Sequence, residues 1–369
     1  MTKILVAGGG VAGSAAAIAI AQAGRAVTLI EREAAPTNKV CGEFLSAEAQ
    51  SYLTQLGLDV PALGGHRITH VRLIRGTHAI TSKLPFEGVG LTRKTLDEAL
   101  LTHAARMGVL VQRGRAIRQI SFDAGIHVTL DQTAPLRPET LFLATGKHDA
   151  RGAARSGTPS RFVGFKTYFS LSPVQRRALS EHVELILFPG GYAGLQMVEH
   201  GQANFCVLVE SALLQRIGGK FSALLDHLQS VSPHLATRLA GSQELLAVPL
   251  SIARVPYGFI HRPQATDPAQ LFRLGDQAAV IQSFTGDGMA IALHSAALAA
   301  RFLRRGETGA AYHRRLAADV SGQIRNAGTL HTALCVPLLG PALFTAARIF
   351  PQALAVCATL TRVPARARL

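Results

Sequence analysis

Residues 4–31, ILVAGGGVAGSAAAIAIAQAGRAVTLIE, constrain the fold more than any other stretch of this chain. The β-branched run Ile4-Leu5-Val6 reads as a strand and feeds directly into Gly8-x-Gly10-x-x-Gly13. The Ala-rich segment Ser14 to Ala23 reads as a helix, Val27 to Ile30 as the next strand, and Glu31 stands at its end. Strand, glycine turn, helix and strand in that order form a β-α-β unit with the dinucleotide fingerprint in its expected context. Gly8 allows the tight turn, Gly10 lets the backbone approach a pyrophosphate, and Gly13 lets helix and strand pack closely. The free N–H groups at the helix start, those of Val11 and Ala12 among them, favour phosphate oxygens. Glu31 follows Gly13 at close to the roughly 20-residue spacing of the carboxylate that binds ribose hydroxyls, with Arg32 beside it as a further expected cofactor contact.

The length of 369 residues suits one large domain or two intertwined ones. With 48% hydrophobic and 17% charged residues, the chain can bury a large core. Trp is absent and aromatics make up only 6%, which argues against stacking platforms for single-stranded nucleic acid. The formal net charge is +15, but the basic residues are scattered, with only short pairs such as Arg304-Arg305. A nucleic-acid footprint needs clustering, so nucleic acid is not an expected partner. General Arg richness and an anionic partner, such as an acyl carrier, both remain open as explanations. The four cysteines, Cys41, Cys206, Cys335 and Cys357, form no C-x-x-C pair, so neither a metal site nor a redox dithiol is expected. The apolar N-terminus fits a nucleotide fold better than a signal peptide, and the chain reads as cytoplasmic.

Nucleotide-type and sheet-type segments interleave. Residues 46–57 look helical, 67–84 read as a hairpin around Gly76, and 93–107 have helical periodicity ending before Gly108. Residues 109–111 and 141–144 read as strands, and 115–130 as a strand pair. Four strand-like runs between 163 and 209, separated by turn signals at Pro173, Pro189-Gly190-Gly191 and Gly201, predict an antiparallel meander. Residues 212–240 look helical, 271–276 form a strand ending in Gly-Asp, and 287–304 form a long helix.

Four further segments complete a pattern: Lys39-Val40-Cys41-Gly42-Glu43, Arg93 opening R-x-x-L-D-x-x-L, Leu143-Ala144-Thr145-Gly146, and Gly275-Asp276 followed by Thr285-Gly286-Asp287-Gly288-Met289. With the glycine fingerprint, this set resembles the flavoprotein monooxygenases and reductases built like p-hydroxybenzoate hydroxylase and geranylgeranyl reductase, over about residues 1–305. The resemblance implies an α/β fold. A Rossmann-type FAD-binding domain (1–66, 90–160 and 268–305) interleaves with an antiparallel β-sheet substrate domain (67–89 and 161–267), and a helical C-terminal region (306–369) follows. It further implies that Asp276 binds the ribityl chain and that the backbone of Gly286, Asp287, Gly288 and Met289 faces flavin N1 and the C2 carbonyl. Arg93, with Lys39 and Gly42, then reaches the cofactor, and Ala144, Thr145 and Gly146 back it. Cys41 and Glu43, on the loop that runs beside the isoalloxazine ring in this family, are candidate catalytic groups. Cys41 as a small buried hydrophobe and Glu43 as a loop acid bonding backbone stand beside that reading. His148, next to Asp149, is a third candidate, with ordinary surface polarity as its alternative.

Only one nucleotide fingerprint is present, so FAD is expected as the held cofactor and NAD(P)H as a transient reductant. The favoured expectation is a single-component monooxygenase that hydroxylates a lipophilic, aromatic or polyketide-type molecule through a C4a-hydroperoxyflavin. The alternative is a geranylgeranyl reductase-type enzyme that saturates lipid or isoprenoid double bonds. Such reductases share a Cys-Gly here but carry a Trp-containing strand where this chain has Phe188-Pro189-Gly190-Gly191-Tyr192-Ala193-Gly194-Leu195. Halogenases need a W-x-W-x-I-P segment that a chain without Trp lacks. A non-redox lipid escort on the same fold is a further alternative. The apolar tail 334–360, broken by Pro337, Pro341 and Pro351, reads either as helices packed on the FAD domain or as a peripheral membrane contact.

Overall fold

The structure is a computed structural model, and it describes residues 3–123, 125–131, 134–335 and 339–368. In chain order, β1 (Ile4–Ala7), α1 (Val11–Gln22) and β2 (Thr28–Ile30) form the opening β-α-β unit. β3 (Phe44–Leu45), α2 (Ala47–Gln55), β4 (His66–Arg75) and β5 (His78–Gly90) follow, then α3 (Arg93–Arg106), β6 (Leu110–Gln112), β7 (Ile117–Ser121), β8 (His127–Leu130) and β9 (Thr140–Leu143). The middle of the chain holds β10 (Phe162–Ser170), α4 (Pro173–Leu179), β11 (Glu181–Phe188), β12 (Gly191–Met197) and β13 (Ala203–Glu210). After it come α5 (Ser211–Arg216), α6 (Phe221–Val231), α7 (Pro233–Leu239), β14 (Gln243–Glu244) and β15 (Leu250–Ala253). The chain ends with β16 (Leu271–Arg273), α8 (Gly288–Arg304), α9 (Gly309–Cys335), α10 (Leu339–Ile349) and α11 (Gln352–Leu360).

A parallel sheet in the order β16-β9-β1-β2-β6 is buried on both faces, as its β-branched and aliphatic strands require. Its register aligns the carboxyl ends: Ala7 pairs with Ile30 and with Leu143, and Leu143 with Arg273. The next residue of each strand therefore lies on one edge, and these are Gly8, Glu31, Ala144 and Leu274. Ligands of open α/β sheets bind along this edge. α1 is Ala-rich because it is buried on most of its faces, packed against the sheet, α3 and α8. A Cβ on Gly13 would sit 1.8 Å from the Gly8 carbonyl oxygen, so only glycine permits this approach.

The second sheet runs β14-β10-β13-β12-β11-β4-β5-β3, with β15 also paired to β10. It departs from the expected antiparallel meander. β11, β12 and β13 do run as a meander, but β10 returns beside β13, and β11 pairs in parallel with β4. The sheet is therefore mixed and takes in the 67–84 hairpin. Pairing partners hundreds of bonds apart leave no periodic trace in the strand itself. β3, at its far edge, carries the Cys41–Glu43 loop from the parallel sheet across to this one.

Candidate functional site

The loop between β2 and β3 connects the two sheets, and its charges meet those of α3. α3 starts at Arg93 because Thr92 caps it, accepting from Thr95 N–H. The Glu199 carboxylate fixes that cap by accepting from Thr92 N–H at 2.9 Å and from the Thr95 hydroxyl at 2.6 Å. One turn on, Asp97 receives Arg93 at 2.8 Å and 2.9 Å and Lys39 Nζ at 2.8 Å. Burial works against the Asp97 charge, but Arg93 and Lys39 outweigh it and hold its carboxyl below the usual range. Both cations are thereby aimed at the glycine turn. A Cβ on Gly10 would lie 3.3 Å from Arg93 Nη2 and 3.9 Å from Lys39 Nζ. A bare glycine at a helix N-terminus, faced by two cations, is the donor set a pyrophosphate needs. Glu31 is buried at the same edge and accepts from Gly9 N–H at 2.6 Å and Glu33 N–H at 3.0 Å. Arg32 is exposed and pairs with Glu33 at 2.8 Å.

At the other end, Gly275 abuts Ala12 and Ala292, which brings the second motif against the first turn of α1. Its N–H donates to Ser295 Oγ at 2.9 Å, and Asp276 lies half-buried beside it. Gly286 has φ +69° and closes a short turn against Phe44, while Gly288 opens α8 with nothing within 4 Å of a Cβ placed there. Gly288 thus leaves the start of α8 exposed, and a helix N-terminus stabilises negative charge placed against it. The Asp287 side chain takes no part in that opening. It is fully buried and accepts from Arg362 Nη1, Val363 N–H and the Ser46 hydroxyl at 3.1, 3.1 and 3.3 Å. Burial pushes its carboxyl up to about 6, against the pull of Arg362. What Asp287 offers a cofactor is therefore backbone. Met289 is buried in the first turn of α8.

Cys41, Gly42 and Glu43 occupy the middle. Gly42 is exposed, with nothing within 4 Å of a Cβ placed there. The Cys41 thiol is half-buried, accepts from Glu43 N–H at 3.3 Å and lies against the Arg93 guanidinium. Glu43 has φ +59° and a fully buried carboxylate. That carboxylate accepts from Arg93 N–H at 2.7 Å and from the Tyr168 hydroxyl at 2.9 Å, and it forms an ion pair with fully buried Lys166. Lys166 Nζ also donates to Lys39 C=O at 3.0 Å and lies 4.6 Å from the centre of the Tyr168 ring. Burial pushes the Glu43 carboxyl up while Lys166 opposes the shift. With three internal donors on its carboxylate, Glu43 braces the loop, while Gly42 is the part that faces outward.

His148 stands apart from this cluster. It is exposed, on a surface concavity with Lys147, Arg155 and Arg254. Asp149 bonds Arg155 at 2.7 Å instead of His148, so the two neighbours form no dyad. Burial, then Arg32, Lys147 and Arg155, lower the His148 pKa. Ala144 is buried and Thr145 turns its hydroxyl to His148 C=O at 2.7 Å, while Gly146 has φ +64° and open space around it.

Sequence reasoning missed the buried acceptor Asp97, the Lys166–Tyr168 pair, Arg362 and an aromatic wall. The wall joins Tyr192 of β12 and Phe162 of β10 to Phe284, Tyr257 and His331. Tyr192 meets Phe284 at 6.1 Å, Phe284 stacks on His331 at 6.2 Å, and His331 meets Phe162 at 5.5 Å. The Ser283 hydroxyl bonds both the Tyr192 hydroxyl and, at 3.3 Å, that of Tyr257. Ser283 and Phe284 immediately precede the Gly286 turn, so this wall borders the place where the turn opens. A lysine inside the otherwise apolar run Phe162–Ser170 was the one visible signal for Lys166.

The glycine turn and the α8 turn, bridged by a cation-lined loop, sit on the Rossmann-like fold shared by FAD-dependent monooxygenases and halogenases. Residues 3–72 match the family model for pyridine nucleotide-disulphide oxidoreductases. The chain is similar to the menaquinone reductase of Mycolicibacterium smegmatis, with 23% identity over 335 residues covering 82% of this chain and 76% of that protein. Among solved structures, the flavin-dependent brominase Bmp2 superposes with a TM-score of 0.80 at 15% identity, covering 100% of this chain and 96% of that one. PqsL of Pseudomonas aeruginosa, titled a probable FAD-dependent monooxygenase, superposes at 0.73 with 17% identity, covering 94% and 98%. At these identities the two structures show a shared fold.

Proposed function

We propose that this protein uses FAD to transfer two electrons to a lipophilic unsaturated molecule, of the isoprenoid-quinone kind, held against the aromatic wall. The observation that carries the reading is the wall's position: five half-buried or buried rings abut the turn that opens α8. Relatives named menaquinone reductases, aligned along four-fifths of the chain, favour reduction. FAD, reduced by NAD(P)H, supplies the hydride chemistry. The chain's own residues do the rest. Lys39, Arg93 and the α1 N-terminus balance the pyrophosphate charge, and the α8 N-terminus balances charge gained on reduction. Burial pushes the Tyr257 hydroxyl up to about 12 and raises that of Tyr192. Both therefore stay protonated at neutral pH and can donate to a substrate oxygen.

Hydroxylation is the second reading, favoured by the fold shared with PqsL. Anaerobic stopped-flow mixing of pre-reduced enzyme with a short-chain menaquinone separates the two. Flavin reoxidation under argon at a rate set by quinone concentration supports reduction. Reoxidation only on admitting O2, with labelled oxygen entering the product, supports hydroxylation. A purified protein that holds no flavin after reconstitution refutes both and leaves a lipid escort.

A further inference from the structure

The α10–α11 pair presents an outer face that neither the fold nor the reaction explains. Leu339, Ile349, Phe350, Val356 and Leu360 are 44%, 67%, 66%, 56% and 54% exposed, half of all the strongly exposed large apolar side chains among the described residues. A helix lying on a globular protein turns its polar side outward. These two expose large apolar side chains as well as burying apolar ones. On α10, Ala342, Ala346 and Ile349 face out in successive turns, while Phe344 and Ala347 pack inward on Leu73 and Ile80. On α11, Ala353, Val356 and Leu360 face out, while Leu354 and Ala358 pack toward Phe44 and Leu84. The helices meet at Ile349-Phe350-Pro351, an apolar corner. The charge that the C-terminal segment itself carries has one sign. No Asp or Glu occurs after Asp319, whereas Arg325, Arg348 and Arg366 are all exposed. α9, which carries Arg325, meets the end of α11 where Asn326 donates to Leu360 C=O at 3.1 Å.

We propose that the α10–α11 face seats the protein on an anionic phospholipid surface, with the Ile349-Phe350 corner inserted among the acyl chains and the arginines on the headgroups. An apolar stripe in the plane of the interface plus a basic fringe is the two-part signal that stable peripheral binding needs. No single helix among the described residues is long and apolar enough to cross a membrane, and one bent pair, Gly309–Leu334 with Leu339–Ile349, reaches that length and apolarity only when its two helices are taken together. The face also lies close to the cofactor turn. The chain leaving α11 runs straight into Arg362, which donates to Thr285 C=O at 2.6 Å and pairs with Asp287. The seating does not depend on which reaction the site performs.

The test is co-sedimentation of the FAD-loaded full chain with phosphatidylcholine vesicles, with and without phosphatidylglycerol, at low and high salt. The expected result is about tenfold tighter binding to the anionic vesicles, weakened by salt. The double variant Ile349→Glu with Phe350→Glu should lose it, retaining its visible flavin absorbance as proof of folding. Val248→Glu, at a 76% exposed apolar residue elsewhere, should bind as the parent does. Absence of vesicle binding at low salt overturns the proposal, as does a double variant that binds normally. Equal binding to both vesicle types overturns the anionic assignment. A dimer that dissociates in the double variant, without vesicle binding, overturns the proposal in favour of a contact between copies.

Discussion

Replacing Lys166 with Met removes the only buried cation that pairs with Glu43 among the described residues. At contact distance and an effective dielectric near 20, the pair is worth about 5 kcal/mol of Coulomb attraction. The carboxylate left behind keeps Tyr168 and Arg93 N–H but has no counter-charge. Loss of one partner from a buried pair costs about 3–5 kcal/mol, and that is the expected destabilisation near neutral pH. The sign of its pH dependence follows from Glu43. Its carboxyl is already raised above 4.5 by burial, and without Lys166 it rises further. The folded variant then holds a proton that the unfolded chain releases above about pH 4.5. Stability therefore falls as pH rises through that window, by up to about 1.4 kcal/mol per unit. The penalty is smallest near pH 5 and grows toward neutrality. Urea unfolding of the FAD-loaded protein, followed by release of flavin fluorescence at several pH values, measures it. Adding Glu43→Gln should restore most of the loss, since the orphan charge is gone. A Lys166→Met variant within about 1 kcal/mol of the parent at pH 7.5, or one whose deficit grows on acidification, refutes the reasoning.

Gly10→Ala places a methyl between the turn and Arg93, and it should weaken FAD binding by about tenfold or more (~1.4 kcal/mol) while leaving the apoprotein folded. Apoprotein titration with FAD, beside a thermal melt, checks both halves. Arg93→Met should cost FAD affinity by a similar factor and, by leaving Asp97 with Lys39 alone, should also lower stability by about 1–3 kcal/mol. Arg362→Met should raise the Asp287 pKa above its present value of about 6 and loosen the Gly286 turn. Its signature is a weaker, red-shifted or broadened flavin spectrum that partly recovers on lowering the pH. Tyr192→Phe keeps the ring but drops the hydroxyl that bonds Ser283. It should raise KM for an oxygen-bearing lipophilic substrate severalfold, with FAD affinity unchanged in the same titration.

Much of the cofactor edge was legible because it is local. Gly13 must be glycine because of Gly8, close by in sequence, and Glu31 follows at a spacing the β-α-β unit imposes. The Gly275-Asp276 and Gly286–Met289 segments were readable as short motifs in the same way. Side-chain direction was not. Asp287 sits inside its motif, yet its carboxylate turns away to Arg362 from the far end of the chain, because a buried charge goes where a counter-charge is packed. His148 and Asp149 are neighbours in sequence, but Arg155 and Gln277 claim the aspartate.

The sequence by itself determined the opening β-α-β unit and most of the helices and strands, though not α4, which begins at Pro173 where a turn was expected, nor β14 and β15. Those features follow from backbone sterics and short-range periodicity, which a chain carries wherever it folds. Tertiary structure alone decided that β11 runs parallel to β4, that Lys166 of β10 neutralises Glu43 at the entry to β3, and that rings from β10, β12, α9 and two loops form one wall. Each of these depends on which surfaces meet, and a contact between residues more than a hundred positions apart is chosen by the packing of the whole molecule.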